Sequence, residues 1–161
     1  MKQQKTNLPN QENSHQLRQR ARRRAIQALY QWEIRKQTAT EISDQFRQIQ
    51  DFSQIDEAFF EQVLRGVIDE QIELDENLQV FLDRPMSQVD IMERSVLRLG
   101  SWELQHCPEV PYRVILNECI DLAHRFGAEQ GHAFINGVLD KAAKKWRSVE
   151  LTLDDSDKPS E

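Results

Sequence analysis

Apolar residues recur every three or four positions along most of this chain, which is the spacing of amphipathic α-helices. No stretch alternates β-branched and polar residues between turn signals, and only five of the 161 residues are glycine. The pattern therefore predicts an all-α protein. The predicted helices cover residues 17–36, 39–48, 55–82 with a break near 70–73, 87–106, 111–126 and 131–146.

The first predicted helix has an apolar stripe at 3.6-residue spacing, which is expected to face the core. The stripe consists of Leu17, Ala21, Ala25, Ala28, Leu29 and Trp32. The face expected in solvent consists of Arg20, Arg23, Arg24, Gln27 and Gln31. Ile26 and Tyr30 fall at a third angle, off both faces, so the predicted core explains neither of them.

Breaks in the helical pattern predict how the chain is organised. The segment from Asp83 to Ser87 contains Pro85 and is expected to be a linker, because a proline disfavours helix in the residue before it. The prediction is a two-part helical protein with polar ends. Its parts are a flexible basic and polar arm (1–16), an N-terminal subdomain (17–84), a C-terminal subdomain (85–148) and a disordered acidic tail (149–161).

Positive charge is concentrated at the start of an acidic chain. The net charge is −6, but residues 1–36 hold nine Lys and Arg against two Glu and carry +7, which leaves −13 on the rest. Such asymmetry is typical of a protein that meets a polyanion through one surface. A solvated charge run is the alternative interpretation.

The arginines lie in the run RQRARRR, residues 18–24. Cations near the start of a helix oppose its dipole and repel one another, so the cluster predicts a partner that supplies negative charge. Arginine suits phosphate because its planar fork donates two hydrogen bonds. The alternative is a helix start that is merely soluble.

The segment HRFGAEQGHAFING, residues 124–137, predicts a helix end, a short turn and a new helix. This turn is expected to bring Phe126 and Phe134 near one another. An aromatic ring beside a helix N-terminus can stack on an unpaired base while backbone N–H groups meet a phosphate. Phe126 also lies on the apolar face of its helix, and from the sequence alone a core position is favoured for it.

Chemistry beyond binding is not indicated. The sequence contains no phosphate-binding glycine loop, dinucleotide fingerprint, zinc-protease motif or nucleophile elbow, so we expect neither an enzyme nor a cofactor. The four histidines and two cysteines lack metal-ligand spacing, and no metal site is predicted. No apolar run suits a membrane span or a signal peptide, so a cytoplasmic protein with reduced thiols is expected.

Three segments resemble the NusB family of transcription antitermination factors. These are ARRRAIQALYQWE, ERSVLRLGSWEL and VPYRVILNECIDLAHRFGAEQGHAFINGVLDKAA, and the resemblance extends over residues 17–147. It implies a three-helix N-terminal bundle packed on a four-helix C-terminal bundle. It also implies that the protein pairs with ribosomal protein S10 and binds boxA RNA in the leaders of ribosomal RNA operons. With other Nus factors on RNA polymerase, the complex would suppress termination.

The resemblance also implies roles for particular residues. Arg18, Arg20 and Arg22 match RNA-contacting positions, and Arg23 adds charge beside them. Phe126 and Phe134 match aromatic positions beside the RNA, and Gln130 replaces an aspartate of some relatives, which removes a repulsive charge. The implied RNA-binding set is Arg18, Arg20, Arg22, Arg23, Phe126, Gln130 and Phe134, and the implied S10-binding pair is Tyr30 and Glu93.

Two other functions stay open at this stage. The chain is also consistent with a protein-interaction adaptor that does not bind RNA directly. Some ribosomal RNA methyltransferases have a NusB-like part, but this chain lacks their cofactor-binding domain. A monomer or a weak homodimer is expected.

Overall fold

A computed structural model describes residues 11–150, and these form helices and turns without a β-strand. The helices are α1 (Gln11–Arg35), α2 (Ala39–Ile49), α3 (Glu57–Asp69), α4 (Gln71–Gln79), α5 (Ile91–His106), α6 (Tyr112–Phe126) and α7 (Gly131–Trp146), with a short 3-10 helix at Met86–Gln88. The predicted all-α class is confirmed. No helix in the described part of the chain is long and apolar enough to cross a membrane.

Helix α1 begins earlier than predicted. It starts at Gln11, six residues before Leu17, so the predicted arm over 1–16 is wrong for its last six residues. Residues 11–16 are all polar, and a helical turn that buries no apolar side chain leaves no periodic pattern in the sequence. The rest of the predicted arm, and residues 151–161 of the predicted tail, lie outside the described residues.

One flank of α1 is buried more deeply than the pattern indicated. Most of the predicted stripe is in the core, with Ala21, Ala25 and Ala28 fully buried, whereas Leu17 and Trp32 are only partly buried. Ile26 is also fully buried and does not stand off the core as expected, and it lies one helical turn after Arg22, which pairs with Glu103 on α5. Tyr30 is 38% exposed, as its position off the stripe predicted.

Local capping explains several helix boundaries. Thr38 accepts a hydrogen bond from the backbone N–H of Glu41 at the start of α2, and Asp56 accepts one from Phe59 at the start of α3. Such caps satisfy helix donors that otherwise lack partners. The long predicted helix breaks at Glu70, within the predicted interval.

Helix α5 is the centre of the fold, because it packs against α1, α3, α4, α6 and α7. Gly100 permits the close approach of α6 and α7, since a Cβ there would lie 2.8 Å from Leu139 and 2.9 Å from Cys119 Sγ. Among residues 11–150, four α-helices precede Pro85 and three follow it. The predicted bundles of three and four helices are obtained only when α4 is grouped with α5. The predicted subdomain boundary therefore stays a prediction.

Buried arginines join the helices of this core. Arg98 on α5 forms a two-bond ion pair with Asp75 on α4 at 2.8 Å and also binds Glu33 on α1. Arg147, just after α7, donates to the carbonyl oxygens of Leu104 and Cys107 at the end of α5. These contacts fix α1, and the charges it carries, relative to the rest of the protein.

Candidate nucleic-acid interface

The arginine cluster lies inside α1 and not at its start. Because the helix begins at Gln11, Arg18 is its eighth residue and Arg24 its fourteenth. The helix dipole acts within the first turn, so the predicted dipole penalty does not apply here. Of the two costs predicted for the arginine cluster, only the mutual repulsion of neighbouring cations remains.

Arg22 is part of the core, which corrects its predicted role in RNA contact. Its side chain is 1% exposed and donates two hydrogen bonds to the fully buried carboxylate of Glu103 on α5, at 2.9 and 2.7 Å. The side chain of Phe59 packs against the same guanidinium. A charge so enclosed and already paired cannot reach a polynucleotide.

Arg18 and Arg20 lie at the edge of this arrangement. The Arg18 guanidinium rests on the Phe59 ring, 4.3 Å from its centroid, and its Nε is 4.0 Å from an Asp56 carboxylate oxygen. Arg20 is exposed and donates to the backbone carbonyl of Gln54 at 3.2 Å. Arg18 is thus partly neutralised, whereas Arg20 keeps its full charge.

Arg23 and Arg24 are half-buried and lack an ion-pair partner within the described chain. The Nε of Arg24 is shielded from water and has no hydrogen-bond acceptor. Both side chains line a cavity of about 430 Å3 with Arg20 and Phe126. Asp51 also lines this cavity, but it forms no ion pair within 4 Å with these arginines in the described structure. The cavity therefore combines several guanidinium groups with an aromatic ring, which suits a nucleotide.

Arg125 completes the cationic surface, although the sequence prediction did not include it. It is exposed in the last turn of α6 and lines the same cavity as Arg23 and Arg24. Burial lowers the pKa of Arg23, and the nearby charge of Arg125 lowers it further. The only sequence signal for Arg125 was its position next to Phe126. Its approach to α1 depends on how α6 packs, which the local sequence does not show.

Phe126 and Phe134 lie in separate depressions and not in one aromatic platform. Phe126 is in the arginine-lined cavity, whereas Phe134 lines a depression of about 200 Å3 with Asp83 and Lys141. The Arg84 guanidinium lies 4.6 Å from the centroid of the Phe134 ring. The expectation that the two rings lie near one another is not met, since no aromatic contact joins them among the described residues.

The turn between α6 and α7 presents polar groups. Gln130 is exposed at the N-cap of α7, where its side chain makes no capping hydrogen bond. The rings of His124 and His132 stack with their centroids 4.2 Å apart. No cluster of three or more His, Cys, Asp or Glu side chains in the described region is placed to hold a metal ion.

The two residues expected at a protein partner lie on different helices. Tyr30 lines a cavity of about 420 Å3 with Ile34 and Phe46, beside the cationic stretch of α1. Glu93, in the first turn of α5, packs against Gly131, where a Cβ would lie 2.6 Å from its carboxylate oxygen. Burial raises the pKa of Glu93, as does the charge of Asp90, while Arg84 opposes the shift.

Comparison with known proteins places this site in a family context. A family model described as the NusB family matches residues 19–144. A protein of Nitrosococcus oceani named Transcription antitermination protein NusB is 52% identical over 134 residues, which is 83% of this chain and 90% of that protein. A protein of the same name from Stenotrophomonas maltophilia is 50% identical, over 83% of this chain and 84% of that protein.

Solved structures show the same fold. A structure of NusB from T. maritima superposes with a TM-score of 0.71 at 27% identity, covering 79% of this chain and 90% of that chain. A second structure contains NusB and NusE in complex with double-stranded RNA. Its match has a TM-score of 0.69 at 22% identity and covers 79% of this chain and 96% of that chain, which supports the fold alone.

Proposed function

Because the chain belongs to the NusB family of non-enzymatic transcription antitermination factors, we propose that it binds boxA RNA in the leaders of ribosomal RNA operons together with ribosomal protein S10. S10 is NusE, the protein present with NusB and RNA in the solved complex. In this proposal the complex joins other Nus factors on RNA polymerase in the cytoplasm and suppresses termination. The protein acts as a monomer or a weak homodimer.

One observation supports RNA binding above all others. Arg20, Arg23 and Arg24 lie on one side of α1 beside the half-buried ring of Phe126, and no carboxylate among residues 11–150 forms an ion pair with them. Phosphate contacts by arginine give affinity that does not depend on sequence, and stacking on an aromatic ring adds a base contact. Arg18 extends this surface at its edge, and Phe134 and Gln130 remain proposed contacts farther along the RNA.

The proposed function is tested by titrating the protein with a boxA-containing single-stranded RNA, with S10, and with both. We expect the ternary complex to form more tightly than either binary complex, because two binding surfaces share one scaffold. Binding of S10 without any binding of RNA, alone or with S10, would instead identify a protein-interaction adaptor. Absence of both interactions would contradict the proposal outright.

Gln130→Asp is expected to weaken RNA binding. The backbone of Gln130, at φ −106° and ψ 1°, is not in the extended conformation of a capping residue, so an aspartate there adds charge without a side-chain cap. Its charge repels phosphate and lowers RNA affinity about two- to fivefold at low salt. Gln130→Asn is the matched control, which shortens the side chain in the same way but adds no charge. Tighter RNA binding by Gln130→Asp than by Gln130→Asn would contradict the argument.

Glu93→Gln is expected to stabilise the free protein at neutral pH and weaken its binding to S10. The folded-state pKa of Glu93 lies above its ordinary value, so ionisation costs stability above that pKa, and the cost disappears as the pH falls through it. The melting temperature should rise at pH 7 and not at acidic pH. A basic partner supplies the counter-charge, so S10 affinity should fall. Glu76→Gln, on the exposed face of α4, serves as the control, and unchanged S10 affinity for Glu93→Gln would remove this residue from the interface.

A further inference from the structure

We infer that Arg23 and Arg125 together hold one phosphate group of a bound RNA strand where α1 passes α6. The inference rests on the proposed RNA-binding function and deepens it by assigning a phosphate site between two helices. It adds Arg125, which lies 102 positions from Arg23 in the sequence, to the arginines of α1. The ligand class is a phosphodiester flanked by two nucleosides.

The arrangement of cavities points to this site. A cavity of about 480 Å3 is lined by Gln19, Asp121 and His124, and the cavity of about 430 Å3 is lined by Arg20, Arg24 and Phe126. Arg23 and Arg125 line both cavities, so they form the ridge between them. Each cavity falls within the usual size range of a ligand site. A phosphodiester on the ridge would therefore place one nucleoside on each side.

Within the described residues, the two charges of the ridge are not neutralised by carboxylates of the protein. Neither Arg23 nor Arg125 has an ion-pair partner within 4 Å in the described part of the chain. Their proximity is evident from the lowered pKa of Arg23, to which burial contributes most and the charge of Arg125 next. An anion between the two guanidinium groups relieves this repulsion and accepts hydrogen bonds from both forks.

The nearby carboxylates, Asp51, Glu118 and Asp121, do not take the place of that anion. Asp51 lines the cavity of about 430 Å3, accepts a hydrogen bond from the backbone N–H of Ser53 at 2.8 Å and makes no ion pair within the described residues. Glu118 accepts a hydrogen bond from Gln19 at 3.0 Å and lies 3.3 Å from His15 Nε2, so its carboxylate is already engaged. Asp121 is exposed at the rim of the larger cavity and makes no ion pair within the described residues. Its charge attracts Arg23 over a longer distance and repels an incoming phosphate. Removing that charge should therefore favour RNA.

The test uses the full-length protein and a boxA-containing single-stranded RNA of about 12 nucleotides, with Arg23→Gln, Arg125→Gln and the double variant. Each single variant should bind about tenfold more weakly, as expected for the loss of a charge-assisted hydrogen bond. Because both side chains hold the same phosphate, the affinity of the double variant should fall about 20-fold, which is less than the product of the two single losses. In a plot of log affinity against log salt concentration, the slope for the double variant should be shallower by about 0.7, which is the value for one phosphate.

Two variants control for net charge. Asp121→Asn should bind RNA at least about twofold more tightly, because it removes a carboxylate beside the site. Arg65→Gln, which removes an exposed charge from α3, should bind as the unmodified protein does. All variants should keep the melting temperature within about 2 °C, since the altered side chains contribute no ion pair to the core.

The outcomes separate this inference from the proposed function. If the unmodified protein binds RNA and Arg125→Gln binds it equally well, the phosphate site is wrong while the proposed function stands. A double variant that shows the full product of the single losses and a slope change of about 1.4 would mean two separate phosphates, and would also overturn it. If the unmodified protein binds no RNA with or without S10, the proposed function itself fails.

Discussion

Arg22→Ala is expected to lower the free energy of unfolding by about 3–5 kcal/mol, because it leaves a buried carboxylate without its partner. Glu103 is fully buried and accepts both of its short hydrogen bonds from Arg22. Burial penalises the charge of Arg22, but the hydrogen bond and the charge of Glu103 raise its pKa overall, so the guanidinium stays charged. Chemical denaturation of the variant and the unmodified protein measures the loss.

A paired replacement shows whether Arg22 also contacts RNA. The Arg22→Met, Glu103→Leu double variant fills similar volume without a buried charge and should recover most of the lost stability. If Arg22 is structural, the double variant should bind RNA within about twofold of the unmodified protein, since no phosphate contact is lost. A stable double variant that binds RNA more than about tenfold more weakly would return Arg22 to the RNA-binding set.

Replacing Arg20, Arg23 and Arg24 together by glutamine is expected to weaken RNA binding by about two to three orders of magnitude at low salt. Each arginine is available for one charge-assisted bond, which contributes roughly a factor of ten. The slope of log affinity against log salt should flatten by about 1.4, which is two phosphate contacts at about 0.7 each, because Arg125 still holds the phosphate that it shares with Arg23. The fold should persist, because none of the three side chains is fully buried or ion-paired in the described structure. Fluorescence titration at four salt concentrations gives both quantities.

The matched control removes the same number of charges elsewhere. Arg35, Lys36 and Arg65 are exposed, and the first two lie at the opposite end of α1 from the arginine cluster. Their triple glutamine variant should lose less than about threefold in affinity and keep its salt slope. Equal losses for the two triple variants would show that RNA responds to net charge alone, and the α1 surface would then not be a binding site.

Local sequence signals were sufficient for most of the helices. Thr38 and Asp56 cap helices through neighbours three residues away, and Pro85 precedes a short 3-10 helix. Each of these effects acts over one turn, so it is visible in a single stretch of sequence. The same dependence on local signals explains why the start of α1 was predicted too late, since the polar helical turn that begins at Gln11 has no apolar spacing to detect.

The candidate site was predictable only in part, because it depends on which helices meet. Arg22 and Arg23 are adjacent in sequence, yet one faces Glu103, 81 positions away, and the other faces Arg125. Ile26 follows Arg22 by one turn and is also fully buried. Composition and spacing identified the arginine-rich stretch, but only packing shows which guanidinium groups remain available to a ligand.

The most direct test of the central claim, that the unpaired arginines of α1 bind RNA, is side-chain nuclear magnetic resonance of the unmodified protein. Arginine Nε–Hε signals, assigned with the single-site variants, are followed while boxA-containing RNA is added. The signals of Arg20, Arg23 and Arg24 should shift with the RNA concentration, whereas those of the buried Arg22 and Arg98 should not. Saturable RNA binding that leaves all three α1 signals unmoved would contradict the account.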